Sequence, residues 1–210
     1  MTPEEFIAAN AALMAPPLVP EIKLHLATEV VPLWRATEEE LAKIGVPPPY
    51  WAFAWAGGQA LARYVLDNPQ LVAGKRVLDI GAGSGLVAIA AAKAGAASVL
   101  AADIDAFSCA AIRLNAEANH CTVTATQDDL IGTANEWDVI LVGDLFYERP
   151  LAERLLAWLT PLSVPALLGD PGRNYFPKER VEKLAQYNVQ TTRDLEDREI
   201  RETGVYCLKG

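Results

Sequence analysis

Acids and glycines carry the clearest chemical spacing in the chain. One stretch reads Asp79-x-Gly81-x-Gly83-x-Gly85, and a second acid, Asp103, closes the apolar run that begins at Val99. Glycines let a backbone approach a ligand closely, and a helix beginning near Ser84 points its free N–H groups at that ligand. Asp79 stands just before the turn, and Asp103 ends the next strand, where a carboxylate can accept both hydroxyls of a ribose. This combination is suited to holding a nucleotide. A second stretch, Gly143-Asp144-Leu145-Phe146-Tyr147-Glu148, sets a carboxylate able to hydrogen-bond an amine beside a polar-tipped ring and an acid at a helix start. The same residues also read as a plain helix N-terminus with a buried Phe. A third stretch, Tyr50-Trp51-Ala52-Phe53-Ala54-Trp55-Ala56-Gly57-Gly58-Gln59, crowds aromatics before a glycine pair. Such runs usually belong to a core, but this one opens a helix and immediately precedes the glycine-rich unit.

Positioning these groups requires alternating strands and helices. Val77–Ile80 reads as a buried strand and Leu86–Ala94 as a helix, followed by a strand from Val99 and a helix over Ala106–Asn119. Strands at Thr122–Thr126, Trp137–Val142 and Pro165–Leu168 follow, with helices at Pro150–Leu159 and Lys178–Gln186. Two final strands, near Val189–Leu195 and Gly204–Leu208, are joined by a polar link and predict an antiparallel hairpin. The pattern predicts an α/β fold: a Rossmann-like, seven-stranded, mostly parallel sheet with helices on both faces. The first five strands finish at or near an acid: Asp79, Asp103, Asp128-Asp129, Asp144 and Asp170. Parallel strands bring such ends to one edge, so these acids are expected along a single rim. Upstream, residues 3–14 predict a helix and Glu21–Leu26 an edge strand or hairpin arm. Thr37-x-x-Glu40 is a capping-box pattern for a helix that Gly45 stops.

Composition narrows the classes. The 210 residues suit one domain with a short N-terminal extension, and no signal peptide or membrane-length apolar run is evident. Cys109, Cys121 and Cys207 lack CxxC spacing and read as reduced thiols, which points to the cytoplasm. His25 and His120 are far apart without ligand-like neighbours, so no metal is expected. A net charge of −9 disfavours nucleic acid and suits a basic protein segment, or serves solubility alone. Leu86 stands where a GxGxxG fingerprint needs a small residue, and no Tyr-x-x-x-Lys set appears, which argues against an NAD-dependent oxidoreductase. Ala82 precedes Ser84 by two, so GxSxG hydrolase chemistry is not indicated.

The spacing Asp79-x-Gly81-x-Gly83-x-Gly85 resembles motif I of class I S-adenosylmethionine-dependent methyltransferases. Trp55-x-Gly57-Gly58-Gln59 and Asp144-x-Phe146-Tyr147 sharpen the likeness. With them the chain resembles the seven-β-strand, DxFY-motif protein-lysine methyltransferases that modify the electron transfer flavoprotein β-subunit. Pro20-Glu21-Ile22, Ala60-Leu61-x-Arg63-Tyr64, Leu66-Asp67-Asn68-Pro69 and Gly169-Asp170-Pro171-Gly172-Arg173 extend it over most of the chain. Ala56 departs from the pattern, since relatives usually carry proline after the Trp. The resemblance implies residues 1–56 as an extension with an aromatic cofactor lid and 57–210 as the methyltransferase domain. It implies S-adenosylmethionine as cofactor, S-adenosylhomocysteine as product, and no metal. Implied cofactor contacts are Trp55, Gly57, Asp79, Gly81, Gly83, Asp103, Ile104, Asp128, Asp129 and Asp144. Asp144, Tyr147 and Glu148 are implied as catalytic, and Phe146, Tyr147 and Arg173 as substrate-binding. The implied partner is the flavoprotein β-subunit, met by a monomer without nucleic acid or membrane. A ribosomal protein or small amine as acceptor, or a module that binds nucleotide without catalysis, are the alternatives.

Overall fold

The computed structural model describes residues 1–27, 47–191 and 200–209. Its helices are α1 (Pro3–Asn10), α2 (Ala56–Asp67), α3 (Leu86–Lys93), α4 (Ala106–Ala118) and α5 (Arg149–Leu159). Its strands are β1 (Ala12–Met14), β2 (Leu24–Leu26), β3 (Arg76–Ile80), β4 (Ser98–Ala102), β5 (Thr124–Thr126), β6 (Val139–Gly143), β7 (Ala166–Asp170), β8 (Val181–Gln190) and β9 (Ile200–Leu208).

The main sheet has the order β5-β4-β3-β6-β7-β9-β8. Strands β3 to β7 run parallel, and β9 enters antiparallel between β7 and β8. From β3 the chain moves outward one way through β4 and β5, then returns to lay β6 on the other side of β3. That reversal opens a crevice at the carboxyl ends of β3 and β6, where sheets of this kind bind ligands.

Both faces of the central strands are covered, so they are apolar at almost every position. Val77, Val139 and Leu141 pack with Leu61 and Val65 of α2 and Val87 of α3 on one face. Leu78, Ile80, Ile140 and Val142 pack with Leu155 and Trp158 of α5 on the other. Each fully buried side chain of this size contributes about 1.5–3 kcal/mol. Asp79 breaks the apolar run because α3 needs it. The helix N-cap is Gly85, which has no side chain to offer, and Asp79 Oδ2 instead accepts the Ala88 N–H at 2.9 Å.

Three elements differ from the sequence reading. The expected helix over residues 3–14 stops at Asn10, since residues 12–14 pair with Leu24–Leu26 in a small antiparallel sheet. The helix expected at Lys178–Gln186 is instead a short 3-10 turn followed by β8. Glu182, Lys183, Leu184, Ala185 and Gln186 are good helix formers, but backbone pairing with β9 outweighs that preference. A register shift between Lys183 and Ala185 then brings Ala185, Tyr187 and Val189 to the inner face together. The strand predicted near Val189–Leu195 begins earlier and is part of β8; residues 192–199, like the Thr37–Gly45 helix, lie outside the described residues. Among the described residues, no helix is long and apolar enough to cross a membrane.

α1 begins with a complete capping box, Thr2 with Glu5, and buries Ile7 against Ala110, Ala111 and Trp51. Asn115 of α4 ties this end to the site. Its Oδ1 accepts the His25 N–H at 2.7 Å, and its Nδ2 donates to the Ser84 carbonyl at 2.8 Å. The N-terminal segment thereby braces the glycine-rich turn.

Candidate active site

A cavity of about 490 Å³ lies at the carboxyl ends of the parallel strands. Each strand from β3 to β7 delivers a loop to it. Gly81 and Gly83 come from β3, Asp103 and Ile104 from β4, Asp128 and Asp129 from β5, Asp144 and Tyr147 from β6, and Arg173 follows β7. Tyr50 and Trp55 complete the wall from the aromatic stretch. Among the candidates, Asp79, Gly57, Phe146 and Glu148 stand outside this lining.

Gly81 and Gly83 have φ of +63° and +51°, a region glycine reaches without strain. The turn is held shut by Asp103. Its Oδ2 accepts the Gly83 N–H at 2.9 Å and its Oδ1 the Asp105 N–H at 3.0 Å, leaving lone pairs on both oxygens. Burial raises the Asp103 carboxyl above its usual pKa, and the two N–H donors oppose that rise. Asp79 is more deeply placed: 1% exposed beneath the turn and pushed up to about 8, chiefly by burial. Asp170 is likewise covered, so these two acids lie under the rim that Asp103, Asp128, Asp129 and Asp144 occupy.

At the end of β6, Asp144 takes φ +58°, an unusual backbone state for a residue with a side chain. The turn aims its carboxylate at two donors. Oδ2 accepts the Gly58 N–H from the first turn of α2 at 2.9 Å, where the helix dipole favours a negative charge. Oδ1 accepts from Arg173 Nη2 at 2.7 Å and Nε at 3.1 Å. The Arg173 guanidinium also sits 5.7 Å from the centre of the Trp55 ring.

Glycines make the α2 approach possible. A Cβ on Gly57 would fall 2.2 Å from the Gly169 carbonyl oxygen, and one on Gly143 would fall 3.2 Å from Gly58 Cα. Gly57 thus serves the site by letting α2 touch the β6 and β7 backbones. Phe146 is 1% exposed and packs edge-on against Phe176 at 5.4 Å. It pins the loop after β6 to the loop after β7, which a backbone bond from the Tyr175 N–H to the Phe146 carbonyl also joins. Asp-x-Phe-Tyr therefore divides its work: Asp144 faces the cavity, Phe146 anchors, and Tyr147 lies at the mouth. There the Tyr147 ring is 5.9 Å from Tyr50, which in turn is 6.1 Å from Trp55. Burial first, then Tyr50 and Glu148, raise the pKa of the Tyr147 phenol.

Sequence reasoning did not single out Tyr50, the Leu130-Ile131 pair or Arg154 as lining residues. Arg154 holds the β5 loop by pairing with Asp129 at 2.7 Å and donating to the Ile131 carbonyl at 3.3 Å. The apolar pair directly after Asp128-Asp129 was the available signal. Arg154 carried none, because its partner is distant in sequence.

The electron transfer flavoprotein beta subunit lysine methyltransferase of Xenopus laevis is 41% identical to this chain over 217 residues, covering 99% of the chain and 87% of that protein. The chain belongs to this family. The human member is 40% identical over 182 residues, covering 82% of the chain and 68% of that protein. The profile of the ribosomal protein L11 methyltransferase family (PrmA) matches residues 59–145, from α2 through the end of β6. Among solved structures, the magnesium protoporphyrin IX methyltransferase of Synechocystis with bound S-adenosylmethionine superposes with a TM-score of 0.55 at 14% identity. It covers 73% of this chain and 78% of that one, and shows the shared fold.

Proposed function

We propose that the chain transfers methyl groups from S-adenosylmethionine to lysine side chains of the electron transfer flavoprotein β-subunit. The observation that carries this is one cavity joining the glycine turn and Asp103 to Asp144 and Tyr147, in a chain with the family's sequence over nearly its whole length. The lining suits such a cofactor. Gly83 leaves room against the turn while Gly81 admits the Leu145 side chain, Asp103 offers acceptors for ribose hydroxyls, and the Leu130-Ile131 pair offers an apolar wall. Trp55 and the flanking acids suit a cationic group, since an aromatic face attracts a cation by about 0.5–2 kcal/mol.

When bound, the sulfonium supplies a methyl carbon to the amine lone pair, the C–S bond breaking with its electrons kept by sulfur. The chain's residues must deliver that lone pair. Lysine has a pKa of about 10.4, so about one amine in a thousand is neutral near pH 7.4, a cost of about 4 kcal/mol. Tyr50, Trp55 and Tyr147 wrap the aliphatic stem and exclude water, which disfavours the charged form. Asp144 accepts a hydrogen bond from the neutral amine and aims its lone pair, and the proton lost on binding passes to water. Positioning and electrostatics then supply most of the acceleration, with no metal required. In this reading the chain acts as a monomer in the cytoplasm, where Cys109, Cys121 and Cys207 stay reduced. Asp79 supports the cofactor side from beneath, Gly57 lets α2 close behind Asp144, and Glu148 starts α5 beside the acceptor loop.

The match to the L11 methyltransferase profile spans the glycine-rich unit and ends at Leu145, before Phe146 and Tyr147. It supports the chemistry more than a ribosomal acceptor. The test is incubation of the purified chain with labelled cofactor and purified flavoprotein, followed by mass spectrometry. Label on β-subunit lysines is expected; an unlabelled flavoprotein would overturn the substrate assignment.

A further inference from the structure

The groups that would meet the acceptor amine already hold a cation. Arg173 donates through Nη2 and Nε to the same oxygen of Asp144, at 2.7 and 3.1 Å, and stacks toward Trp55. Its side chain is 17% exposed and that of Asp144 10%, so solvent screens the pair only weakly. An uncompensated carboxylate at this point would work against catalysis, because it stabilises the ammonium form that cannot attack.

We propose that Arg173 remains on Asp144 during turnover and is a positioning residue whose charge makes the bound acceptor lysine give up its proton. This rests on the lysine methyltransferase reading above. With Arg173 in place, an arriving ammonium meets a neutralised carboxylate and a fixed positive charge. The neutral amine, by contrast, can still donate an N–H to Asp144. The N–H proton that is lost leaves with water, and the electron pair it vacates is the nucleophile.

The surroundings hold Arg173 in that role. Asp170 Oδ1 accepts the backbone N–H groups of Gly172 and Arg173 at 2.6 and 2.7 Å and fixes the loop from which the guanidinium extends. Asp170 is fully buried, and its Oδ2 has no hydrogen-bond partner among the described residues. Burial and the neighbouring Asp144 push the Asp170 carboxyl up to about 7, so it is only partly ionised at neutral pH. Among the described residues, the other ionisable groups lining the cavity are Asp103 and Asp105 after β4, Asp128 and Asp129 after β5, Arg154 on α5, and the phenols of Tyr50 and Tyr147. Asp103, Asp105 and Asp128 attract an ammonium into the cavity, Asp129 is paired with Arg154, and burial raises the pKa of the Tyr147 phenol. Among the described residues, Arg173 is thus the lining cation paired with Asp144.

Two readouts test the proposal. Calorimetry of unmethylated flavoprotein binding to the wild-type chain loaded with S-adenosylhomocysteine, repeated in buffers of different ionisation enthalpy, counts protons released. About one proton per site is expected near pH 7.4, where free lysine is charged. Arg173→Gln should release fewer protons and bind the flavoprotein at least as tightly at that pH. In steady-state assays the acid limb of its kcat profile should move alkaline by about one pH unit or more, so that kcat lost at neutral pH returns at high pH. Arg173→Lys, which keeps the charge, should keep the wild-type profile. A wild-type chain that binds without releasing protons overturns the proposal, whether or not any variant folds. So does an Arg173→Gln profile lowered by the same factor at every pH, the mark of a structural role. A wild-type chain that neither binds nor methylates the flavoprotein overturns this proposal and the substrate reading together.

Discussion

Asp144 serves three demands at once: it caps α2 through the Gly58 N–H, pairs with Arg173, and faces the cavity. Asp144→Asn keeps an acceptor for Gly58 but loses the charge that holds Arg173. Methyl transfer should fall by two orders of magnitude or more, about 2.7 kcal/mol in the barrier, while cofactor affinity is retained. Single-turnover rates and cofactor titration separate the two effects, and normal transfer would return Asp144 to the rank of a helix cap. Asp79 makes a different prediction. Its folded carboxyl titrates near 8 against 3.8 for the ordinary group, so the folded state binds more protons than the unfolded one across that window. Its contribution to stability is full below the lower value and is lost as pH rises through the upper one. Asp79→Asn, always neutral, should make urea-unfolding free energy less dependent on pH across that range; an unaltered slope would contradict the assignment. The sequence showed both acids at strand ends. Their depth was not legible there, because it depends on α3 and on the loop after β7 closing over them.

At the scale of elements, α2 is positioned by backbone contact at Gly57, Gly143 and Gly169. Gly57→Ala would drive a Cβ to 2.2 Å from the Gly169 carbonyl and 2.5 Å from Asp144 Oδ2. Because these are backbone and paired atoms, a loss of about 1–3 kcal/mol or more is expected, with impaired transfer. Gly58→Ala has its nearest neighbour at 4.0 Å, Val87 Cγ2, and sits in the first turn of a helix. It should be neutral or stabilising by up to about 1 kcal/mol. Denaturant titration of the two variants side by side checks this, and equal losses would show that close approach is not what the glycine pair provides. The Trp-x-Gly-Gly-Gln spacing made these glycines visible in the sequence. Their packing partners, a whole domain away along the chain, were not. Similarly, the residues of β8 favour a helix locally, and only β9 beside them makes a strand.

At the scale of the whole molecule, the reversal between β3 and β6 gathers loops from five strands around one crevice. The alternation of strands and helices was readable because parallel strands covered on both faces must be apolar throughout. The order in which they lie, and the N-terminal brace through Asn115, required the folded chain. A cavity built this way should be stabilised by its own ligand. S-adenosylmethionine or S-adenosylhomocysteine at 100 times Kd should contribute about 2.7 kcal/mol, read as a rise in melting temperature. NAD should leave the melting temperature unmoved, since the turn departs from the dinucleotide fingerprint at Leu86, which packs into the core between helix and sheet. A shift with NAD alone would contradict the methyltransferase reading.

Cofactor, Asp144 and acceptor lysine meet in one reaction, and one labelling experiment addresses all three. The purified chain and its Asp144→Asn variant are each incubated with methyl-labelled S-adenosylmethionine and a cell extract, and labelled proteins are identified by mass spectrometry. Label is expected on lysines of the electron transfer flavoprotein β-subunit with the wild-type chain, and at least a hundredfold less with the variant, a loss of about 2.7 kcal/mol in the barrier. Label on another protein while the flavoprotein stays unmodified, or equal labelling by both chains, would contradict that expectation.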